Sequence, residues 1–380
     1  HRDLHSFPTR RSSDLRGGLA AFNERLALEF GKSGHQISIE TFTTQYPSVL
    51  FPGKSQYSSS AKPEDLKIRR SFSSINPISW LRTGLRIRKE APDMVLMRYW
   101  LPFMAPCFGI ISRLIKSNGK TRVLCLADNI VPHEQRPGDK LLTQFFMQSI
   151  DGMVVMTKSV QEDALQFRKD LPVELSPHPV FDNYGPPVDR EEAIRKLGLA
   201  VNFRYLLFFG FIREYKGLDW LLEAMGDSKI KSLPVKLIVA GEFYTDDQVF
   251  LELIQRNGLE DSVIFKSDYI PDEEVSLYFG ASDLVVQPYK HATQSGVTQI
   301  AYHFKKSMLV TNVGGLPEMI PDQIVGYVVE PSVKAVTDAI VDFFESDRKT
   351  FFENNIGQEM EKYRWDKMVD AFVRLYDKCK

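Results

Sequence analysis

Two cations three residues apart, Arg213 and Lys216, sit where a short apolar run gives way to a helical pattern, Phe208–Met225 (FFGFIREYKGLDWLLEAM). An arginine fork beside a lysine point charge suits phosphate oxygens. A second opening, Thr293-Gln294-Ser295-Gly296-Val297, also leads from an apolar run into a helical pattern. Free N–H groups and the dipole at a helix start attract an anion, and glycine lets a phosphate approach the backbone. Ser295 is expected to cap this helix or to donate to the anion. Gly314 and Gly315, in Val313–Glu318 (VGGLPE), follow a further apolar run. Each feature alone reads as an ordinary cap or a solvated helix start. On neighbouring strand ends they read as one phosphate-binding set.

Other chemistry is sparser. His133 follows an apolar run in Asp128–Glu134 (DNIVPHE), with Asn129 in the same loop. A histidine there titrates in the physiological range and can hydrogen-bond a substrate hydroxyl; the alternative is a loop histidine satisfied by backbone. His178, between Pro177 and Pro179, reads as structural. No Asp-x-Asp follows a strand-like run, so no divalent metal is expected. Neither a G-x-G-x-x-G fingerprint nor a Ser-His-Asp or Cys-His pattern stands out, which lowers dehydrogenase and hydrolase readings.

The elements that must position these residues alternate. In the second half, apolar runs at Tyr205–Phe209, Val235–Ala240, Val263–Lys266, Leu284–Gln287, Met308–Thr311 and Gly326–Val329 are separated by helical patterns. Such alternation predicts parallel strands joined by right-handed crossovers. In the first half, runs at Gln36–Phe42, Met94–Met97, Arg122–Ala127 and Met153–Met156 behave alike, and Pro47–Pro63 reads as an exposed loop. A chain of 380 residues exceeds what one core supports, about 250–300. The expected fold class is α/β: two doubly wound parallel-sheet, Rossmann-like domains facing a cleft, 16–185 and 186–365. A helix over 366–380 is expected to pack back on the first domain, and the proline-rich Pro177–Pro187 reads as the linker.

Composition agrees with a globular chain, 43% apolar and 26% charged. Cys107, Cys125 and Cys379 form no disulfide framework or metal pair, so a reducing, cytoplasmic setting is expected. Residues 1–185 carry 25 Lys and Arg against 18 Asp and Glu, and residues 186–380 carry 23 against 31. A basic first half suggests an anionic surface or substrate. His1–Leu15 has no clear periodicity and resembles a translated sequencing-adapter read. It is expected to be disordered, leaving the first domain without its first strand.

The segments FFGFIREYKGLDWLLEAM, LIVAGEF, SDLVVQPY and GVTQIAYHFKKSMLVTNVGGLPEMI resemble the C-terminal domain of glycosyltransferase family 4. RGGLAAFNERLA and DNIVPHEQRPGD resemble its N-terminal domain more loosely. The resemblance implies the GT-B fold and sugar transfer from a nucleotide donor, with retention at the anomeric carbon. It places the donor diphosphate on Arg213, Lys216, Ser295, Gly296 and Val297, with Gly17 and Gly18 opposite, and no metal or other cofactor. On that footing Glu242, Tyr269, Ile270 and Tyr289 are expected to hold the nucleoside. Thr293, Gln294 and Gln299 would meet the donor sugar, His133 would act catalytically, and Asn129, Gly314, Gly315 and Glu318 would line the cleft. Arg98-Tyr99-Trp100 would line the acceptor side or pack. Two family glutamates fall here on Ala292 and Ile300, and a family arginine falls on Phe211.

Leu66–Lys89 holds seven basic and no acidic residues among apolar ones. It suits an anionic membrane face, hence a peripheral enzyme with a glycan or lipid-linked acceptor, or else a helix packed on the sheet. Nucleic acid is not an expected partner. An epimerase using Glu242 and Glu318, or a non-catalytic nucleotide-sugar binder, is the alternative.

Overall fold

The computed structural model describes residues 3–7, 18–46, 66–132, 136–244, 247–292 and 295–380. The chain divides into two units: His1–His178 with Arg364–Lys380, and Pro179–Tyr363. The boundary thus falls at His178, ahead of the expected residue 185. The proline-rich segment belongs largely to the second unit, where the Val180 amide donates to the Tyr363 carbonyl.

The first unit carries β1 (Asp3–Phe7), β2 (Gln36–Thr44), β3 (Lys67–Ser73), β4 (Met94–Tyr99), β5 (Arg122–Ala127), β6 (Gly152–Val155) and β7 (Val173–Leu175). They form one parallel sheet in the order β3-β2-β1-β4-β5-β6-β7. Its helices are α1 (Gly18–Lys32), α2 (Pro77–Glu90), α3 (Ala105–Lys116), α4 (Asp139–Met147) and α5 (Lys158–Phe167). Met94–Tyr99 and most of Arg122–Ala127 are buried, as strands covered on both faces must be.

The expectation that His1–Leu15 stays outside the fold is corrected. Asp3–Phe7 pairs in parallel with β2 and with β4, at the centre of the sheet. The charges that argued against a strand there, Arg10, Arg11 and Asp14, follow Phe7 and lie outside the described residues. Only Asp3, at the strand's start, carries a formal charge within it.

The second unit holds β8 (Arg204–Phe209), β9 (Val235–Ala240), β10 (Val263–Lys266), β11 (Leu284–Gln287), β12 (Met308–Thr311) and β13 (Gly326–Val329). Their order is β10-β9-β8-β11-β12-β13, again all parallel. The helices are α6 (Arg190–Leu197), α7 (Leu218–Met225), α8 (Ser228–Lys231), α9 (Gln248–Asn257), α10 (Val275–Ala281), α11 (Gly296–His303), α12 (Leu316–Met319), α13 (Val333–Glu345) and α14 (Arg348–Met360). Helix α15 (Trp365–Lys378) belongs to the first unit and reaches β5, β6, β7 and α1. Its apolar stripe, including Met368, Phe372 and Leu375, is buried.

Both sheets reverse winding direction once, between β1 and β4 and between β8 and β11. Open α/β sheets bind ligands beyond the strands' carboxyl ends at such a switch point. In the second unit the loops at that place begin at Gly210 and at Pro288.

Candidate functional site

Arg213 and Lys216 lie in the first of these loops. β8 ends at Phe209, Gly210 turns at φ +92°, and a short 3-10 turn over Glu214–Lys216 delivers the lysine. Gly217, at φ +70°, then starts α7; a Cβ there would stand 2.0 Å from the Pro288 carbonyl oxygen. The two loops are therefore pressed together. The Lys290 amide donates to the Tyr215 carbonyl over 2.7 Å, and its ammonium pairs with Asp219 at 2.6 Å.

Lys216 is buried at 9% exposure and meets no carboxylate within ion-pair distance among the described residues. Burial, and then the charge of Arg213, lower its pKa from 10.5 to about 8. Its Nζ lies 5.6 Å from the centre of the Tyr289 ring. A Cβ on Gly210 would be 3.5 Å from this Nζ and 3.5 Å from Val297 Cγ2. Lysine, glycine and the first turn of α11 thus surround one spot. Arg213 is exposed and stacks its guanidinium over Tyr244 at 5.1 Å. A buried ammonium without a carboxylate is costly, and an anion is what relieves it.

Of the two roles expected of Ser295, the cap is not made. The residue stands at the N-cap of α11 in extended conformation, yet its side chain caps nothing. Its hydroxyl instead donates to Gln287 Oε1 at 2.6 Å and lies 3.4 Å from the Tyr289 hydroxyl. Gln287 Nε2 continues to Thr298 Oγ1 at 3.2 Å. This buried chain fixes the helix start against the end of β11. Burial pushes the Tyr289 hydroxyl pKa upward, so it stays protonated. The Thr311 hydroxyl donates to the Tyr289 carbonyl, tying in the end of β12.

Gln299, the fourth residue of α11, is fully buried, and among the described residues neither its Oε1 nor its Nε2 has a hydrogen-bond partner. Ala292 and Ile300 are buried at 9% and 5%. Gly314 (φ +52°) and Gly315 precede α12, whose Glu318 is exposed. The Tyr302 hydroxyl ties α11 to the Met319 carbonyl at 2.6 Å. Glu242 is half-buried after β9, and its carbonyl accepts from the Ile212 amide at 2.9 Å. Tyr269 is half-buried and donates to Asp272 at 3.2 Å, while Ile270 is buried. Among the described atoms, direct contacts join the loops after β8, β9 and β11 and the end of β12; Tyr269 and Ile270 stand on the loop after β10. His133, Thr293, Gln294 and Gly17 lie outside the described residues, whereas Gly18 is the first residue of α1.

In the first unit, Arg98 turns out to be a packing and pairing residue. Its guanidinium grips Asp128 with two bonds of 2.7 Å, donates to Asn23 at 3.0 Å, and lies 4.2 Å over Phe22. Tyr99 is buried and stacked on Phe146. His178 is buried, edge-on to Phe22. Asn129, half-buried, follows Asp128. Gln287 and the Arg98–Asp128 pair escaped the sequence reading; a glutamine closing an otherwise apolar strand was the available signal for the first.

The fold is that of the two-domain GT-B glycosyltransferases. A glycosyltransferase from Rickettsia africae superposes with a TM-score of 0.75 at 18% identity, covering 100% of this chain and 98% of that one. An Anabaena protein, HepE, solved with UDP and glucose, gives 0.73 at 14% identity with full coverage of both. Residues 203–346, within the second unit, match the family Glycosyl transferases group 1. A D-inositol 3-phosphate glycosyltransferase of Corynebacterium aurimucosum is 26% identical over 249 residues, 62% of this chain and 59% of the relative. The O-antigen chain mannosyltransferase C of Escherichia coli is 23% identical over 308 residues, 78% of each chain. The chain thus spans 59% of the length of the first of these relatives.

Proposed function

We propose that this protein transfers a sugar, with retention of anomeric configuration, from a nucleoside-diphosphate sugar to a glycan or lipid-linked acceptor. The observation that carries the reading is the carboxylate-free ammonium of Lys216 beside Arg213 and the start of α11, at the switch point of the sheet. Cleaving the donor's anomeric bond leaves negative charge on the departing diphosphate. A cation held in a low-dielectric pocket stabilises that charge most where it develops. Lys216 is therefore the main electrostatic group, Arg213 the outer fork, and the backbone of Gly296 and Val297 the third arm. The proposal assigns the nucleoside to Glu242, Tyr269, Ile270 and Tyr289, and the donor sugar to Thr293, Gln294 and Gln299. Glu318, Gly314 and Gly315 are assigned to the substrate, and Asn129, Gly17 and Gly18 are assigned to donor binding on the family resemblance alone. His133 would hydrogen-bond the sugar or the acceptor hydroxyl.

The same three arms would do the neutralising that a divalent ion does elsewhere, so transfer is proposed to be metal-independent. The free thiols of Cys107, Cys125 and Cys379 suit a reducing, cytoplasmic setting. Among the described residues, no helix is long and apolar enough to cross a membrane. A second reading, a nucleotide-sugar binder without turnover, draws on the buried Ala292 and Ile300, which offer no side-chain acceptor. A thermal-shift screen of nucleoside-diphosphate sugars, followed by turnover with an acceptor extract with and without EDTA, separates the two. A stabilising donor that is consumed in EDTA supports the proposal. A donor bound and never consumed favours the second reading, and consumption only with added magnesium or manganese overturns metal independence.

A further inference from the structure

The basic stretch of the first unit divides into two unlike parts. Lys67–Ser73 is β3, and Arg69 reaches back to Glu90 at 3.0 Å. Pro77–Glu90 is α2, in which Arg86 pairs with the buried Glu40 at 2.6 Å and with Glu90 at 3.1 Å. These cations are consumed by structure. Trp80, Thr83, Gly84 and Ile87 form the helix's buried side. Gly84 lies so close to α3 that a Cβ there would come within 2.8 Å of Leu114.

The opposite side is unlike any ordinary solvated face. Ile78, Leu81 and Leu85 are 60%, 47% and 49% exposed, and Ile75, just before the helix, is 53% exposed. Arg82, Arg88 and Lys89 are exposed too and make no ion pair among the described residues. At 3.6 residues per turn, Ile78, Leu81, Leu85, Arg82, Arg88 and Lys89 fall within an arc of about 120°. Three aliphatic side chains thus run down the middle, with Arg88 on one flank and Arg82 and Lys89 on the other. No acidic residue interrupts 66–89. Water is a poor partner for the aliphatic side chains, and a protein surface would have to supply an apolar groove lined by carboxylates. A bilayer of anionic lipids supplies both chemistries along a flat interface, apolar below and negative at headgroup level.

We propose that the exposed face of α2 docks the protein flat on an anionic membrane, with Leu81 and Leu85 in the acyl boundary and Arg82, Arg88 and Lys89 at the headgroups. The proposal goes beyond sugar transfer and does not depend on it. Co-sedimentation of the full chain with vesicles of phosphatidylglycerol and phosphatidylcholine tests it, against phosphatidylcholine alone. Binding should favour the anionic vesicles and weaken with salt, because exposed charges are screened over about 8–10 Å at physiological strength. Each basic group near the surface contributes about a fivefold gain, so R82Q/R88Q/K89Q should bind about a hundredfold more weakly. L81S/L85S should lose binding to the same vesicles while keeping the wild-type melting temperature. Equal partition onto both vesicle types, or unaltered binding by either variant, overturns the proposal. So does a dimer in light scattering that L81S/L85S dissociates when no vesicle binding is seen. Donor binding and turnover are read separately, so failure of the catalytic reading leaves this result interpretable.

Discussion

Replacing Lys216 by methionine should move affinity and stability in opposite directions. The substitution keeps an unbranched stem and removes the charge. In the free protein the ammonium is held at a site that draws its pKa from 10.5 to about 8. At 1.36 kcal/mol per pH unit, that costs the folded state about 3 kcal/mol at neutral pH. Lys216→Met should therefore raise the unfolding free energy of the free protein by about 1–3 kcal/mol, since the charge has no buried carboxylate to strand. The same change should weaken nucleoside-diphosphate binding by about 1.5–3 kcal/mol, the range for a hydrogen bond to a charged group, or about 10- to 150-fold. The pH dependence follows from the sign of the shift. Between about pH 8 and 10.5 the unfolded chain keeps a proton that the native lysine has lost, so stability rises with pH across that window. Diphosphate affinity should fall over the same rise, because neutral Lys216 no longer attracts it, and binding near pH 8 should take up a fraction of a proton. Urea titration and calorimetry in buffers of different ionisation enthalpy measure all of these. A methionine variant that is less stable and binds as tightly as the wild type would refute the assignment of Lys216 as a waiting cation.

Gln299→Leu should stabilise the free protein by about 1–2 kcal/mol, because an unpartnered buried amide is replaced by hydrocarbon, while weakening donor-sugar binding; denaturation and calorimetry check the pair. Gly217→Ala should cost more than about 2 kcal/mol in urea titration, since its Cβ would collide with the Pro288 carbonyl at a left-handed φ. Deleting His1–Pro8 should lower the melting temperature of the first unit by at least about 10 °C, since β1 pairs on both sides; an unchanged transition would count against that central strand.

The second sheet was legible because its strands are short apolar runs between helical patterns. Val235–Ala240 and Met308–Thr311 occupy the residues that alternation predicts. β3 was not, because Lys67–Ser73 is an edge strand rich in cations whose partners, Glu40 and Glu90, lie elsewhere in sequence. β1 was misjudged because flanking charges were counted against a strand only five residues long. At the site, loop positions after strands placed Arg213, Lys216 and Ser295 at the sheet's carboxyl edge. Spacing could not reveal that Lys216 would be buried while Arg213 remained exposed, nor that Ser295 would turn to Gln287 instead of capping α11. Those outcomes depend on contacts between loops far apart in the chain. The Arg98–Asp128–Asn23 cluster was hidden for the same reason, its members coming from β4, the end of β5 and α1.

Sugar transfer as proposed releases a nucleoside diphosphate for every glycosidic bond formed. Time-resolved proton NMR of the anomeric signals, with a stabilising donor and an acceptor extract, follows both events in one tube. The expected result is loss of the donor signal, matched by nucleoside diphosphate and by a new glycosidic signal of the donor's own anomeric configuration. A donor whose sugar is isomerised while still attached to the nucleotide, or one that binds and stays intact, would contradict it.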